Sequence, residues 1–547
     1  MAKSLLEKQP AVQQSPLQDA ASQTSRPSVD MRQAAPLASL TATAPVIVTT
    51  TIASSSASMS DSLISLSRPS QVQRRLKSRH LQMIAIGGTI GTGLFVGSGA
   101  TIATAGPLGS LIGFLIVGIM VFFITTSLGE LAAYMPVSGS FNTYAGRFVD
   151  PALAFALGWN YWLQWSISLP SELAAAGIIM SFWYPTVPSW IWSALILVLL
   201  VFIHSRGVEG FGESEYWLSA IKVVAIIIFI VLGILVDLGL IGTQPAIGFD
   251  NWKIDGTELV GVTAGEAVNP RKTVPNAIKK TFWRILLFYI ISIFIIGLVV
   301  RNDDPSLMDA ANSGDITIAP FTLVFQRAGL GSAAHVMNGV IFTAVLSACN
   351  SAMYAGTRTL MSMAHEGKAP AILGTVTSKG VPVYSLIATT LMGCLAFLSI
   401  IWGDGEVFTW LLNVTGASGI ITWLSIAVIH LRFRKAFKVQ GKGLEALPYM
   451  APFFPVGPWI AIVIGFFIVL GQGYAAASAV PFQLRNVLSV YVGIPFFLSM
   501  YFGYKLVHRT TLVDLTSCDL FGGESDEEAP FGSNPIADEH TPLLASV

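Results

Sequence analysis

Ile84–Phe95, IAIGGTIGTGLF, opens the first long apolar segment of a 547-residue chain. Four glycines (Gly87, Gly88, Gly91, Gly93) and two threonines make it a poor helix, since each interior glycine costs about 1 kcal/mol relative to alanine. Backbone groups left unpaired in lipid cost several kcal/mol each, so a broken helix persists there only where protein or a water-filled cavity covers the break. The break is therefore expected to line a site. A helix that stops near Thr89 and restarts beyond Gly93 turns N–H groups and a positive dipole end into that site, which suits a carboxylate. Two other readings compete. A dinucleotide fingerprint needs a preceding strand and a βαβ unit, and the flanks here are membrane-like. Glycines that merely let two helices approach closely are the plainer alternative.

Working outward, the chain is 53% hydrophobic and 11% charged, against about 25% charged in a soluble domain. With a mean hydropathy of +0.65, it reads as an all-α polytopic membrane protein. The net charge of zero says nothing about partners, because the placement of Lys and Arg matters more than the sum. Cys349, Cys394 and Cys518 stand at no disulfide or metal spacing. Residues 1–70, rich in Ser, Ala, Thr, Gln and Pro and without the charged and apolar regions of a signal peptide, read as a disordered cytoplasmic tail.

Arg74, Arg75, Lys77 and Arg79 place the first flank in the cytoplasm. Apolar stretches follow at about 82–104, 108–134, 152–181, 187–204, 216–241, 282–300, 316–355, 383–402, 406–430, 456–475 and 488–507. Clusters of Lys and Arg recur after alternate crossings, which fits 12 spans with both termini inside only if the chain also crosses between Gly242 and Arg271. The candidate there, Ile254–Ala267, carries Asp255, Glu258 and Glu266 and covers about 21 Å of a roughly 30 Å hydrocarbon core. Span six is thus half a helix, leaving about 11 full spans. Two short or glycine-broken segments at matching positions of two halves point to an inverted-repeat transporter, with spans 1–5 and 6–10 as repeats and two further helices. The expected domains are a tail at 1–72, a transmembrane domain at 73–509 and a cytoplasmic tail at 510–547.

RRLKSRHLQMIAIGGTIGTGLF, AGPLGS with SLGELAAYMP, GTELVGVTAGEAVNPRKTVPNAIK and SACNSAMYAGTR together resemble the fungal amino acid permeases of the amino acid–polyamine–organocation superfamily, over about Arg74–Arg509. The resemblance implies the leucine-transporter-like fold, a substrate carboxylate held on the backbone of Ile90, Gly91, Thr92 and Gly93, and an α-amino group held at the sixth-span break, Gly256–Glu258. It also marks a departure. Members carry about 20 to 25 more residues, which include the front half of span six, between Asn251–Trp252 and Gly256–Glu258, where this chain has Lys253, Ile254 and Asp255.

Ionisable groups at membrane depth are functional candidates because each is costly unless paired or hydrated. Glu172 and Ser168 are four apart and share a helix face, with Pro170 between them freeing backbone groups. A substrate or proton role for Glu172 stands beside a structural hydrogen bond, and the resemblance supports recognition of cationic side chains. Lys222, taken as two turns into span five, either snorkels to the interface or serves as a proton site, as the resemblance to proton-coupled relatives implies. Glu130 and Asn350 read as gating or structural pairs, Glu258 as a substrate or proton site, and Thr415 as a selectivity position implied by basic amino acid permeases. Asn413 and Ser351 read as interhelical hydrogen bonds.

No HExxH, GxSxG or CxxC appears, so no catalytic residue, metal or cofactor is expected beyond a proton gradient, and the chain reads as no enzyme. The expected function is proton symport of amino acids by alternating access, cationic ones such as lysine and arginine leading. The alternative is a transport-dead amino acid sensor, or a splice or gene-model variant lacking the first half of span six. Expected partners are the amino acid, protons, the bilayer and trafficking or ubiquitination machinery on the tails, with no nucleic acid. The plasma membrane is the leading location, and the ADEHTPLL tail points to a vacuolar or endosomal alternative.

Overall fold

The computed structural model describes residues 90–252, 285–308 and 319–520, apart from 136, 138–139, 379 and 480–481. Among them the regular structure is helical throughout. Helix α1, Thr92–Phe95, is followed after Val96 by α2, Gly97–Tyr134. The AGPLGS motif breaks α2 at Gly106, whose φ of 67° only glycine adopts readily, and Pro107 restarts the helix without needing an N–H partner. The first two apolar stretches are thus joined by a two-residue corner.

A short helix, α3 (Phe141–Phe148), leads into α4 (Pro151–Met180). Asp150 caps α4, accepting the Ala152 N–H at 2.9 Å, with Pro151 at the first helical position. Helices α5 (Ser189–Ser205) and α6 (Val208–Asp237) follow, separated at Gly207, φ 81°. Span five therefore begins eight residues before the expected position 216. Next come α7 (Ile291–Val299), α8 (Pro320–Arg327) and α9 (Gly331–His365). The stretch 316–355 reads as one apolar segment, but a turn at Gly329, φ 76°, splits it. The series ends with α10 (Val383–Trp402), α11 (Asp404–Val439), α12 (Val456–Ser478), α13 (Leu484–Tyr491) and α14 (Gly493–His508).

Six of the described helices are long and apolar enough to cross a membrane, and α13 with α14 makes a seventh candidate bent by 44°. Their outer faces carry large apolar side chains, among them Val198, Phe202, Ile227 and Leu506. Water would not tolerate so continuous an apolar surface, and lipid does. The interior helix is α4, which packs against α9, α11, α14 and α5. It is lined with Ala and Gly (Ala154, Ala156, Gly158, Ala174, Ala175, Ala176, Gly177), and small residues let backbones approach closely where hydrophobicity alone cannot drive association.

The end of the bundle read as cytoplasmic is held by charge. Glu130 on α2 is fully buried and takes a bidentate contact from Arg434 on α11, with Nη2 to Oε2 at 2.8 Å. His430 Nε2 lies 3.1 Å from Oε1, and the Ala451 N–H donates to Oε2 at 2.6 Å. Asp150 gathers Lys505 and the Thr510 hydroxyl, the latter at 2.8 Å. Residues 510–520, grouped with the tail by composition, lie against the bundle here: the Val513 N–H donates to the Val149 carbonyl at 2.9 Å and Arg432 Nη2 donates to the Val513 carbonyl at 2.8 Å.

Breaking a buried ion pair by removing one partner costs about 3–5 kcal/mol, whereas replacing both with apolar or neutral groups costs far less. Glu130→Ala is therefore expected to lower the thermal unfolding midpoint of the detergent-purified protein sharply. The double change Glu130→Gln with Arg434→Met should recover much of that loss.

Candidate functional site

Gly91 is extended, with φ −135° and ψ −153°, and the helix resumes at Thr92. Of the break anticipated in IAIGGTIGTGLF, the described residues hold only the helix start, at Thr92, one residue before Gly93 rather than beyond it; the part before Ile90 lies outside the described residues. The first N–H groups after a helix start have no intrahelical acceptor, so those at Thr92 and Gly93 are free of the ladder. Space beside Gly91 is tight. A Cβ there would stand 3.3 Å from the Cβ of Ala348 on α9 and 3.7 Å from Glu172 Oε1 on α4.

Glu172 accepts a hydrogen bond from the Thr92 hydroxyl, Oγ1 to Oε1, at 2.9 Å. Its other oxygen, Oε2, is buried with no hydrogen-bond partner among the described residues. The carboxylate is thus half-used by the protein, at the point where the backbone of the first span opens.

Lys222 closes the other side. Its Nζ donates to the Ile90 carbonyl at 3.0 Å and to Ser347 Oγ on α9 at 2.8 Å. Snorkelling is excluded: Lys222 is 0% exposed, and because α6 starts at Val208 it lies about four turns along that helix, not two. Ser347 Oγ in turn donates to Glu215 Oε1 at 2.5 Å, and Lys222 Nζ is 3.9 Å from the same oxygen. Ser219 also donates to Oε1, at 3.0 Å, while Asn350 Nδ2 donates to Oε2 at 3.1 Å and to Ser214 Oγ at 3.2 Å. One ammonium and two carboxylates therefore share a buried interior with the backbone of Ile90–Thr92.

Of the residues singled out from sequence, the structure brings together Ile90, Gly91, Thr92, Glu172 and Lys222, with Asn350 joined through Glu215. Ser168 makes no hydrogen bond among the described residues. The Thr415 hydroxyl turns back onto its own helix, donating to the Leu411 carbonyl at 2.9 Å, and Asn413 Nδ2 reaches Ser489 Oγ at 3.2 Å, as an interhelical tie. Glu130 is bound among Arg434, His430 and Ala451, as described above. Gly256 and Glu258 lie outside the described residues.

The sequence model of the amino acid permeases matches residues 80–255 and 253–516. The chain belongs to the amino acid permease family. Among known proteins, this permease is similar to the lysine-specific permease LysP of Escherichia coli, 49% identical over 466 residues, which take in 81% of this chain and 95% of the relative. It is 44% identical to the histidine permease HisP of Lactococcus lactis over 82% of this chain and 98% of that one. The general amino-acid permease GAP2 of Candida albicans is 40% identical, over 82% of this chain and 81% of its own length. These relatives are transporters, not enzymes. The two matched segments meet at 253–255, where Lys253, Ile254 and Asp255 stand between Trp252 and Gly256. In the alignment with the E. coli permease, 81% of 547 residues is about 443 of 466 positions, so about 23 positions have no residue of this permease.

Glu215 is the residue that sequence reading missed. Its signal was present: Glu215, Ser219 and Lys222 stand at i, i+4 and i+7, one stripe of a helix. Removing Lys222 would leave the Ile90 carbonyl and the Glu215 charge buried and unpaired, a loss of about 3–5 kcal/mol. Lys222→Met is accordingly expected to depress thermal stability strongly, whereas a snorkelling lysine would be replaced almost without effect.

Proposed function

We propose that this permease imports amino acids by proton symport and alternating access, with cationic amino acids preferred. The observation that carries the substrate class is Glu172 Oε2, a buried carboxylate oxygen with no protein partner beside the backbone break. A lysine or arginine side chain supplies the donor that this oxygen lacks, while the substrate carboxylate meets the free N–H groups of Gly91, Thr92 and Gly93. That relatives named for lysine and histidine transport share over 40% of their residues with this chain supports the same reading. Lys222 is the proposed proton site, placed where its charge state bears directly on the Ile90 carbonyl. The proposed location is the plasma membrane, with ADEHTPLL a candidate sorting signal toward the vacuole.

Labelled lysine uptake by a host lacking its own permeases tests the whole reading. Uptake should be faster at pH 5 than at pH 7 and should collapse with a protonophore. Absence of uptake, restored by inserting a relative's segment between Trp252 and Gly256, would reverse it for this chain. Two substitutions test the site. Glu172→Gln should raise the apparent Kd for lysine at least tenfold while changing that for leucine by less than threefold. Gly91→Leu should abolish binding of both, since a Cβ already presses on Ala348 at 3.3 Å and the rest of a leucine side chain would reach toward Glu172.

A further inference from the structure

The hydrogen bonds around Lys222 do more than anchor it. Ser347 Oγ accepts from Lys222 Nζ at 2.8 Å and donates to Glu215 Oε1 at 2.5 Å, so one hydroxyl stands between an ammonium and a carboxylate with both bonds already formed. Resting on the proton-symport reading, we propose that Glu215 is the proton acceptor for Lys222, and that Ser347 relays the proton between them.

The step balances without any other reactant. An N–H bond of the Lys222 ammonium breaks as its proton passes to Ser347 Oγ. At the same time, the Ser347 O–H proton passes to Glu215 Oε1. Lys222 is left an amine, Glu215 a carboxylic acid and Ser347 a hydroxyl as before, so the pair changes from two opposite charges to none and its net charge is unaltered. Glu215 lies seven residues nearer the start of α6 than Lys222, about 10 Å along the helix toward the end that the basic residues mark as cytoplasmic. The proton itself moves no farther than the 3.9 Å between Lys222 Nζ and Glu215 Oε1, and leaves the nitrogen that binds the Ile90 carbonyl.

The surroundings fit a relay rather than a plain ion pair. Direct Nζ to Oε1 contact is absent at 3.9 Å, so Ser347 is the shorter path. Glu215 Oε1 and Oε2 are held by Ser219 and Asn350, which fix the carboxylate facing the serine in either charge state. Among the described residues, three further titratable groups stand near the pair. Glu172 on α4 faces Lys222 from the far side of the break, Cys349 is buried on α9 beside Ser347, and His204 at the end of α5 is buried near Asn350. The move also has a consequence for the break. A charged donor bonds about twice as strongly as a neutral one, so the Ile90 carbonyl is gripped when the proton is on Lys222 and loosened when it is on Glu215.

The test uses the full chain in liposomes with labelled lysine, comparing accumulation driven by an inward proton gradient with exchange at equal pH on both sides. Glu215→Gln keeps the shape and an oxygen to accept from Ser347, with its NH2 group met by the Asn350 oxygen once that amide turns over, but cannot take the proton. It should lose at least tenfold in gradient-driven accumulation while exchange falls by no more than about threefold. Ser347→Ala should show the same split, and Ser347→Thr, which restores the hydroxyl, should recover gradient-driven accumulation. Accumulation within threefold of wild type in Glu215→Gln would overturn the relay, as would an equal loss of accumulation and exchange, which is what a structural role predicts. A wild-type chain that ignores the gradient would instead overturn the symport reading, and the relay with it.

Discussion

A buried peptide carbonyl outside the helical ladder must find a donor away from water, and at Ile90 that donor is the ammonium of Lys222. The rest of the interior follows from this contact. The ammonium is itself too costly to leave unpaired, so Ser347 and Glu215 are drawn to it from α9 and from a position two turns earlier on α6. Glu215 in turn needs Ser219 and Asn350. Two helices, α6 and α9, are thereby fixed around the backbone at Ile90, and the order of dependence runs from backbone to cation to carboxylate.

On the opposite side of the break the accounting is incomplete. Glu172 receives one hydrogen bond, from Thr92, and has an oxygen left over. Two other buried carboxylates are closed by protein: Glu130 by Arg434 and Ala451, Asp304 by Arg327 Nε and Nη2 at 2.7 and 2.9 Å. A saturated carboxylate holds helices together; an unsaturated one has capacity for a ligand. This difference in satisfaction separates Glu172 from Glu130, although both are lone acidic residues in apolar segments of the sequence.

Much of this was legible in the sequence because it rests on local rules. The spans follow apolar runs, the corner at Gly106–Pro107 follows from the φ restrictions of those two residues, and a helix that starts at Thr92, just past an extended Gly91, falls within the glycine-rich stretch. What could not be read is what depends on which helices touch. Lys222 looked close to an interface because the apolar run begins near 216, but polar residues from Val208 to Glu215 are already helical and packed against α9. Thr415 looked like a lining residue because it is polar at depth, but threonine also satisfies itself on the preceding turn, as it does here with Leu411. Glu215 was hidden for the reverse reason: its importance comes from Ser347, a residue 132 positions away.

The segment after α14 bears on how the molecule is strung together. Val513 is bound twice, through its N–H to the Val149 carbonyl ahead of α4 and through its carbonyl to Arg432 on α11. Gln440 adds a further tie, Nε2 to the Cys518 carbonyl at 2.7 Å. A single extended stretch thus bridges the entrance of one helix and the exit of another like a stay between two masts. Were α11 to swing away from α4 at this end, the stay would have to slacken or part at Val513. Tilt in the bundle would then be felt as tension in the chain that leads to the C-terminus.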